Sequence, residues 1–443
     1  MIPKHITTPI MITTHITTPM MITTPIMIPT PIMIPKIQFI YLLFQHVFPL
    51  PLVVFQSESL VELHLQRCDL NALKSTGNVI LNNLQTLRLR YVDITDEIFE
   101  KILSGCPLIE NLDLLECTGL KSIKLHKHHN IKDFDCLLNG QTIIEIEDPR
   151  PLESVIIQNC RNWFLRHKNM QFSHLMSLDL CMVHLAAEIF DNFSSFFPCL
   201  GELNLDKCYG LEEFILSSSS IKRLTIKMNL ENMIKAFIDT PNILYFEYYG
   251  LLPSIKFTAT SSEWESEIFL LYKLIGKPSE KDTTEWFHKL NKLLKTLSQS
   301  RITLDFIPTE YKKLYINDSY GGFYKPVVVE HLKFPSSSEP SILNCFFRIC
   351  RPRYIHMDLY NDDMYDDEPE LNNLAVCMSK IISNEIGCYF WLKDLEEVGI
   401  EVRGEHAEDW HCVEGTSLLA LPFQQEIRFQ LTWTEQICRF PFT

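Results

Sequence analysis

One pattern of apolar residues recurs along the first half of the chain and constrains its fold more than any other feature. It has the form L-x-x-L-x-L-x-x-C, in which other apolar residues can replace Leu and Cys. The first three copies begin at Leu60, Leu84 and Ile109, so they are 24 and 25 residues apart. A repeated unit of this length is typical of solenoids, in which each unit is one strand and a return path.

The pattern also predicts how the units stack. Its two central apolar residues, two positions apart, lie on one face of a short strand, and the residue between them lies on the other face. Because one unit cannot bury its apolar edge alone, neighbouring units must share a core. We therefore predict an α/β leucine-rich-repeat solenoid, a curved horseshoe with parallel strands on the concave face and helices or loops on the convex face. After shorter units at Leu120 and Ile131, further copies begin at Leu152, Leu175, Leu200, Ile221 and Ile243.

Two return paths have the pattern of a helix. In Ile94–Pro107, Thr95 is a suitable N-cap, and Gly105 with Pro107 ends the apolar stripe. The stretch Ala186–Pro198 repeats this arrangement with several phenylalanines.

The repeats become irregular after residue 260. We assign 56–260 to regular leucine-rich repeats and 261–443 to irregular C-terminal repeats, with a separate α/β domain after residue 260 as the alternative. The alternating elements expected there are helices at Glu285–Leu297, Ile342–Cys350 and Leu371–Ile386, and strands at Ile302–Phe306, Val327–Phe334, Tyr354–Leu359, Leu395–Val402 and Glu426–Trp433.

The N-terminal region has a different composition. Residues 1–36 are a Thr/Pro/Ile/Met low-complexity tract, and its recurrent prolines favour a disordered tail. Residues 37–55 are an apolar entry segment or N-terminal cap, since the apolar run Ile37–Phe55 is interrupted by polar residues and prolines. A membrane span is not expected from so short a clean run, and no secretory signal is recognisable.

Charge and cysteine usage narrow the partners. The net charge of -15 argues against nucleic acid, which requires clustered Lys and Arg. Cys68, Cys117, Cys160 and Cys208 occupy one position of the repeat and are interpreted as buried, reduced thiols. We therefore expect a protein of the cytoplasm, the nucleus or both.

No catalytic or cofactor motif with diagnostic spacing occurs, so an enzyme is not predicted, and no cofactor is expected. Three clusters superficially resemble metal sites, but none has the ligand spacing of a zinc or calcium site, and we interpret them as solvated loops or ordinary packing. They are His126 with His128 and His129; His406 with Asp409, His411 and Cys412; and the acidic run Asp362, Asp363, Asp366, Asp367, Glu368 and Glu370.

The candidate site is a surface for a partner protein. On each strand, the residue between the two buried apolar positions faces solvent on the concave side. These residues are His64, Arg88, Asp113, Lys124, Asp179, Asn204 and Thr225.

Several stretches resemble plant F-box proteins with leucine-rich repeats and an FBD-like C-terminal region. They include Ser59–Leu65, Ile94–Leu103, Gly105–Leu112, Phe197–Leu203 and Leu392–Val402. The resemblance covers roughly residues 52 to 433. Where the family has its F-box, this sequence has the Thr/Pro tract and the apolar run from Ile37, with no recognisable F-box pattern.

The resemblance implies a non-catalytic protein-protein interaction module. In this family the F-box binds a Skp-type adaptor in a cullin-RING ubiquitin ligase, and the repeats hold an unknown target protein. The resemblance thus implies a substrate-recognition component of an SCF-type E3 ligase. The alternatives are a membrane-associated or receptor-like repeat protein anchored through Ile37–Phe55, or a truncated, non-functional family member.

Overall fold

The structure is a computed structural model that forms two compact units. Unit 1 comprises residues 1–211 and 217–221, and unit 2 comprises residues 212–216 and 222–443. The residues that the structure describes are 10–13, 20–22, 39–50, 52–70, 72–75, 78–125, 130–147, 149–164, 171–185, 188–229, 234–259, 263–272, 280–308, 325–335, 341–358, 378, 391–404, 409–413 and 425–434.

Unit 1 is built on a ladder of parallel strands, as the repeat predicts. The ladder runs β3–β4–β5–β6–β8–β9–β10–β11. The strands of unit 1 are β1 Ile10–Thr13, β2 Met20–Ile22, β3 Phe39–Pro49, β4 Glu62–Asp69, β5 Thr86–Arg90, β6 Asn111–Leu115, β7 Ser122–Leu125, β8 Asp133–Ile146, β9 Ser154–Phe164, β10 Ser177–Cys181 and β11 Glu202–Asp206.

The core lies under this ladder, where the apolar residues of successive repeats meet in register. Leu63 aligns with Leu87, and Leu87 aligns with Leu112. All three are at most 1% exposed. Burying a leucine side chain contributes about 1.5–3 kcal/mol. The repeated leucines therefore supply the main stabilisation of unit 1.

The helices of unit 1 lie between strands. They are α1 Ala72–Ser75, α2 Asp96–Ser104, α3 Glu188–Asp191 and α4 Phe193–Phe196, with a 3₁₀ turn at Leu52–Gln56. Helix α2 confirms the predicted helix: the Thr95 hydroxyl accepts a hydrogen bond from the Ile98 amide, and Gly105 is the C-cap. The Asp96 carboxylate also accepts the Lys121 amide at 2.7 Å, which ties α2 to the next repeat.

The second predicted helix is instead two short helices. Helices α3 and α4 are separated at Asn192, which has φ -127° and is not helical. Asparagine favours such breaks because its side chain competes for backbone hydrogen bonds. Phe190, Phe193 and Phe197 are buried as expected. Residues 186–187 lie outside the described part of the chain.

Some return paths are strands, whereas only helices or loops were expected on the convex face. Strand β7 pairs in parallel with the C-terminal half of β8, and that half also pairs with the end of β9. The sequence of β8 explains this, since Thr142, Ile143, Ile144 and Ile146 are β-branched and favour extended backbone.

The N-terminal tract contains two described strands, although disorder was expected there. Strands β1 and β2 pair antiparallel, and β1 also pairs with β3. Each lies between prolines, where a few Ile, Met and Thr residues can extend. Strand β3 lies parallel beside β4, and Phe55 in the following turn is buried. The other residues of the tract lie outside the described chain.

Unit 2 is also built on a ladder of parallel strands. A parallel ladder runs β13–β15–β17–β18–β19–β20, and β12, β14 and β16 form a separate three-stranded return sheet. The predicted helices Glu285–Leu297 and Ile342–Cys350 are confirmed, each with slightly shifted ends. The elements are β12 Glu213–Ser217, β13 Arg223–Lys227, β14 Lys235–Asp239, β15 Tyr245–Leu251, β16 Ser254–Thr258, β17 Glu265–Tyr272, α5 Glu280–Thr296, β18 Arg301–Pro308, β19 Val327–Pro335, α6 Ser341–Ile349, β20 Cys350–Asp358, a 3₁₀ turn at Leu392–Asp394, β21 Leu395–Gly404, β22 His411–Cys412 and β23 Gln425–Trp433.

The C-terminal end of the sheet is antiparallel, which corrects the prediction of parallel strands to the end of the chain. Strand β23 pairs antiparallel with both β20 and β21, and β22 pairs antiparallel with β21. The expected helix Leu371–Ile386 lies outside the described residues apart from Met378. Within the described residues, no helix is both long enough and apolar enough to cross a bilayer.

Candidate partner-binding surface

The register of seven parallel strands in unit 1 brings one residue from each strand into a row, which we name the central row. Each member lies between two buried apolar residues, so its side chain points away from the core. Most of its side chains are half-buried, and Arg88 is exposed. In strand order, the central row is His64, Arg88, Asp113, Asp135, Ile156, Asp179 and Asn204.

A second row lies beside the central row on the same face, two residues further along each strand. We name it the outer row. It combines charged, polar and aliphatic side chains. In strand order, the outer row is Gln66, Arg90, Leu115, Leu137, Gln158, Cys181 and Asp206.

The structure brings most of the residues predicted for the surface into the central row but leaves two outside it. Lys124 lies on β7, where it aligns with Glu145 in the return part of β8. The short unit at Leu120 follows the preceding copy too closely to form a new rung of the ladder. Thr225 lies on β13 in unit 2. The predicted residues within the row are His64, Arg88, Asp113, Asp179 and Asn204.

Sequence reasoning missed Asp135 and Ile156, which complete the row. The signal was present in the sequence. Asp135 lies between Phe134 and Cys136 of the unit that begins at Ile131, and Ile156 lies between two apolar residues in the next copy. Asp135 was missed because its repeat unit has an irregular length. Ile156 was missed because an apolar residue is not expected at an outward-facing position.

The first part of the face is basic and is partly neutralised within the protein. Arg90 donates to the Asp113 carboxylate at 3.0 Å, and the Arg88 side chain lies 3.8 Å from the same oxygen. His64 lies 3.8 Å from Glu62. Burial and then the Arg88 charge lower the pKa of His64. This imidazole is therefore neutral at physiological pH.

The middle of the face carries a carboxylate on which the nearest cations, Arg90 and Arg88, act without forming an ion pair. Among the described residues, no hydrogen bond or ion pair reaches the Asp135 carboxylate, which stands between the neighbouring charges of Asp113 and Asp179. Burial, and then repulsion by those two carboxylates, raise the pKa of Asp135. A positive group placed here would relieve that repulsion.

Beyond Asp135, the acidic groups are held by neutral donors. The Asn204 amide donates to Asp179 at 2.8 Å, and the Cys181 thiol lies 3.6 Å from the Asp206 carboxylate. Burial and the Asp206 charge raise the pKa of Cys181 to about 11. These contacts hold the two carboxylates in position on the face.

Aliphatic side chains interrupt the polar face near its centre. Leu115, Leu137 and Ile156 are each half-buried on three adjacent strands. Polar residues are usual at outward-facing strand positions. These three side chains add apolar contact area to a surface that is otherwise polar.

The strand ends hold this face in place through a repeated turn. In six repeats, the residue three positions after the central-row residue has left-handed backbone, and a buried Cys or Val follows it. Non-glycine residues rarely adopt that conformation, so the surrounding hydrogen bonds must impose it. The left-handed residues are Arg67, Tyr91, Glu116, Asn159, Met182 and Lys207, with φ between 49° and 54°.

The repeated cysteines pack as interpreted from the sequence. Cys68, Cys117, Cys160 and Cys208 are at most 1% exposed, and all are free thiols. The thiol of Cys208 donates to the Leu180 carbonyl of the preceding repeat at 3.1 Å. Burial raises the pKa of Cys68, Cys117 and Cys208 to about 12. Their role is packing.

Unit 2 has its own row on the corresponding strands, which contains Thr225, Glu247, Glu267 and Thr303. The Tyr245 hydroxyl lies 3.0 Å from Glu267 and 3.3 Å from Glu247, and burial with these charges raises its pKa. Lys227 pairs with Glu247 at 3.1 Å. These carboxylates already have partners within the unit.

The C-terminal strands carry an aromatic and cationic cluster. The imidazoles of His331 and His356 lie 2.9 Å apart, nitrogen to nitrogen. The Arg428 guanidinium lies over two aromatic rings. Its Cζ atom is 4.8 Å from the ring centroid of Tyr354 and 4.2 Å from that of Trp410. Burial, and for His356 the adjacent His331, lower both histidine pKa values, that of His356 to about 3.

The surface contains groups suited to binding. In the described chain, no group of three or more His, Cys, Asp or Glu residues could hold a metal ion. The clusters at 126–129 and 362–370, and His406, lie outside the described residues. What the unit 1 face offers is ion pairing, hydrogen bonding and aliphatic contact along one row.

Comparisons with known proteins agree with this repeat architecture. A family model described as "FBD-associated F-box protein At5g56370, LRR repeats" matches residues 33–169. The resemblance to the plant F-box/leucine-rich-repeat family is confirmed. That match includes five members of the central row, from His64 to Ile156.

Three relatives from Arabidopsis thaliana extend the comparison. Probable F-box protein At1g60180 is 33% identical over 78 residues, which are 18% of this chain and 22% of the relative. Putative F-box/LRR-repeat protein At4g00320 is 40% identical over 68 residues, 15% of this chain and 13% of the relative. F-box/LRR-repeat protein At3g03360 is 25% identical over 185 residues, 40% of this chain and 37% of the relative. The matches thus span well under half the length of these relatives.

Proposed function

We propose that this protein is a non-catalytic interaction module that holds a target protein on the unit 1 face, as a substrate-recognition component of an SCF-type ubiquitin ligase. The observation that carries the proposal is the in-register central row, which presents seven side chains of mixed charge on one sheet. A stiff repeat scaffold suits binding because little conformational freedom is lost on association.

The ligase part of the proposal rests on the relatives. Their names identify them as F-box proteins, and F-box proteins join a Skp-type adaptor and a cullin. We propose the same partners for this chain. We also propose a cytoplasmic or nuclear location, which the free cysteines of the described residues support because disulfides are rare there.

A tagged pull-down of the full chain from plant extract tests both parts, with bound proteins identified by mass spectrometry. Three baits are compared: the wild type, a face variant with Asp135→Arg and Asp179→Arg, and a control with Glu58→Arg and Asp191→Arg. The control residues are exposed and lie off the central row, and the change in net charge is the same. Circular dichroism confirms that all three baits are folded.

The expected result is a target that the wild type and control retain and the face variant loses, together with a Skp-type adaptor and cullin on all three baits. Identical protein partners on all baits would refute the face as the binding surface. Face-dependent partners without adaptor or cullin would leave an interaction module and remove the ligase role.

A further inference from the structure

Strand β8 contains the single Asn-Gly pair of the sequence, at Asn139 and Gly140. The pair lies where β8 passes from the parallel ladder to its return part, and the register with β9 shifts on both sides of Gly140. Gly140 has φ 81°, a left-handed backbone that glycine adopts without strain. Asn139 is exposed at this corner of the strand, so solvent reaches its side chain.

The Asn139 side chain folds back on its own main chain. Its amide oxygen Oδ1 accepts the Gln141 backbone amide at 3.2 Å, and the Thr142 hydroxyl lies 3.3 Å from the same oxygen. A side-chain oxygen that accepts the amide two residues further on forms an Asx turn. The carboxamide therefore lies over the Gly140 peptide group.

An intramolecular reaction is available to these two residues. The Gly140 nitrogen loses its proton and forms a bond to the side-chain carbon Cγ of Asn139. The Cγ–Nδ2 bond breaks, and Nδ2 leaves with a proton as ammonia. Water then opens the resulting succinimide ring at one of its two carbonyl carbons, and the product is aspartate or isoaspartate. Water is the only co-reactant that this sequence of steps requires.

Three features of the corner favour ring closure. Gly140 has no side chain to hinder the approach of its nitrogen to Cγ. The Gln141 amide at Oδ1 stabilises the negative charge that develops on this oxygen when Cγ is attacked. Within the described part of the chain, the leaving nitrogen Nδ2 of Asn139 is not held by a hydrogen bond.

Two other exposed asparagines lack this combination. Asn83 precedes Leu84, and its Nδ2 donates to the Glu58 carbonyl at 2.6 Å. Asn192 precedes the buried Phe193. A bulky side chain on the following residue hinders the approach of the backbone nitrogen, so these two asparagines are suitable internal controls.

We propose that Asn139 is a site of spontaneous covalent modification, where the folded protein loses ammonia and acquires aspartate or isoaspartate. The inference goes beyond the proposed function, because it requires no partner protein. Isoaspartate adds one carbon atom to the main chain of β8. That atom lies between Leu137, which aligns with Leu115 of β6, and Ile143, which aligns with Ser122 of β7.

Incubation of the purified full chain at neutral and at mildly alkaline pH tests the inference. Parallel samples are kept in buffer and in urea, and circular dichroism confirms that the buffer samples stay folded. Peptide mapping by mass spectrometry measures the conversion at each asparagine, and chromatography separates the aspartate and isoaspartate peptides. The matched variant is Asn139→Gln, whose longer side chain closes the corresponding ring much more slowly.

We expect Asn139 to convert in the folded chain at least about tenfold faster than Asn83 and Asn192, because the fold holds the reacting groups together. Conversion should be faster at the higher pH, since the attacking nitrogen must lose its proton, and the Gln variant should stay unchanged. Conversion of Asn139 in urea but not in buffer would show that the fold prevents ring closure and would overturn the inference. Equal rates at Asn139 and Asn83 in the folded chain would also overturn it.

Discussion

The thiol of Cys117 donates a hydrogen bond of 3.3 Å to the carbonyl oxygen of Leu89, which belongs to the preceding repeat. Val92 and Val183 occupy the same position in other repeats and are fully buried. We therefore predict that Cys117→Val is tolerated, with a loss of less than about 1.5 kcal/mol in the free energy of unfolding.

The matched variant Cys117→Asp should be far more disruptive. It places a carboxylate in a site that is 1% exposed, which costs several kcal/mol. Urea denaturation followed by circular dichroism measures both variants. A loss with Cys117→Val as large as that with Cys117→Asp would contradict a packing role.

Exposed cysteines should react with a thiol reagent in the folded protein, whereas buried cysteines should not. Cys199 and Cys412 are exposed, whereas Cys117 and Cys208 are buried with a pKa of about 12. Because the thiolate is the reactive form, maleimide should label the first pair in the native protein and the second pair only after unfolding. Peptide mapping by mass spectrometry locates each label. Rapid native labelling of Cys208 would show that the turn opens.

The left-handed turn residues should tolerate glycine unusually well. Glu116 has φ 49° and is exposed, and non-glycine residues lose about 1–2 kcal/mol in this conformation. Part of the gain from glycine is offset by its greater freedom in the unfolded chain. We predict that Glu116→Gly raises the unfolding free energy by roughly 0.5–1 kcal/mol, and that Glu116→Val lowers it.

Glu202 provides the control, since it is exposed within strand β11. Glu202→Gly should lower stability by roughly 0.5–1 kcal/mol, because glycine in a strand loses freedom without relieving strain. Chemical denaturation compares these variants. Equal destabilisation by glycine at both sites would contradict an imposed left-handed turn.

The histidine pair predicts acid sensitivity. Both pKa values are lowered in the folded protein, that of His356 to about 3, because of burial and neighbouring cations that include Lys333 and Arg428. The unfolded imidazole takes up a proton below its ordinary pKa of about 6.5, while the folded one does not. Stability is therefore fully present above pH 6.5 and declines as the pH falls toward the folded pKa values.

The free energy of unfolding should fall by at most about 1.4 kcal/mol per pH unit for each histidine, and by less where solvent reaches the ring. Melting curves between neutral and mildly acidic pH measure it. His356→Phe should flatten the dependence, whereas His184→Phe, at an exposed position, should not. An unchanged slope in His356→Phe would exclude this pair as the cause.

The ion pair of Arg351 and Asp394 should stabilise the C-terminal strands. The two groups are 2.9 Å apart with 3% and 24% of their side chains exposed, and Arg351 also lies over the Trp433 ring at 4.8 Å. Removal of one partner from a buried pair costs about 3–5 kcal/mol. We predict a loss near the lower end of that range for Asp394→Ala, since this carboxylate is partly exposed.

The double variant Arg351→Met with Asp394→Leu should recover much of that loss, because no unpaired charge remains. Thermal unfolding compares the single and double variants. If the double variant were no more stable than Asp394→Ala, the unpaired arginine would not be the source of the loss.

The sequence predicted the parts of the fold that depend on local periodicity. Strands β5 and β6 follow directly from Leu87, Leu89, Leu112 and Leu114, because alternate apolar residues fix both the strand and its buried face. Helix α2 was predictable because Thr95 and its neighbours form a complete set of end signals.

The sequence could not predict features that depend on pairing between distant segments. The direction of β23 depends on the strands with which it pairs. The alternation of buried and outward-facing residues is the same in parallel and antiparallel strands, so it does not reveal this direction. For the same reason, Lys124 was placed on the candidate surface: its strand has the right pattern, but β7 pairs with the return part of β8. Asp135 occupies the position instead.

Because the register is not shifted along the central row from β4 to β11, the residues of this row are evenly spaced. Adjacent strands in a sheet are about 4.8 Å apart, so the central row from His64 to Asn204 is roughly 29 Å long, with one side chain at each step. Duplication of a single repeat during evolution would lengthen the row by one step and preserve every existing position. Recognition could therefore diversify by whole increments, without redesign of the scaffold beneath.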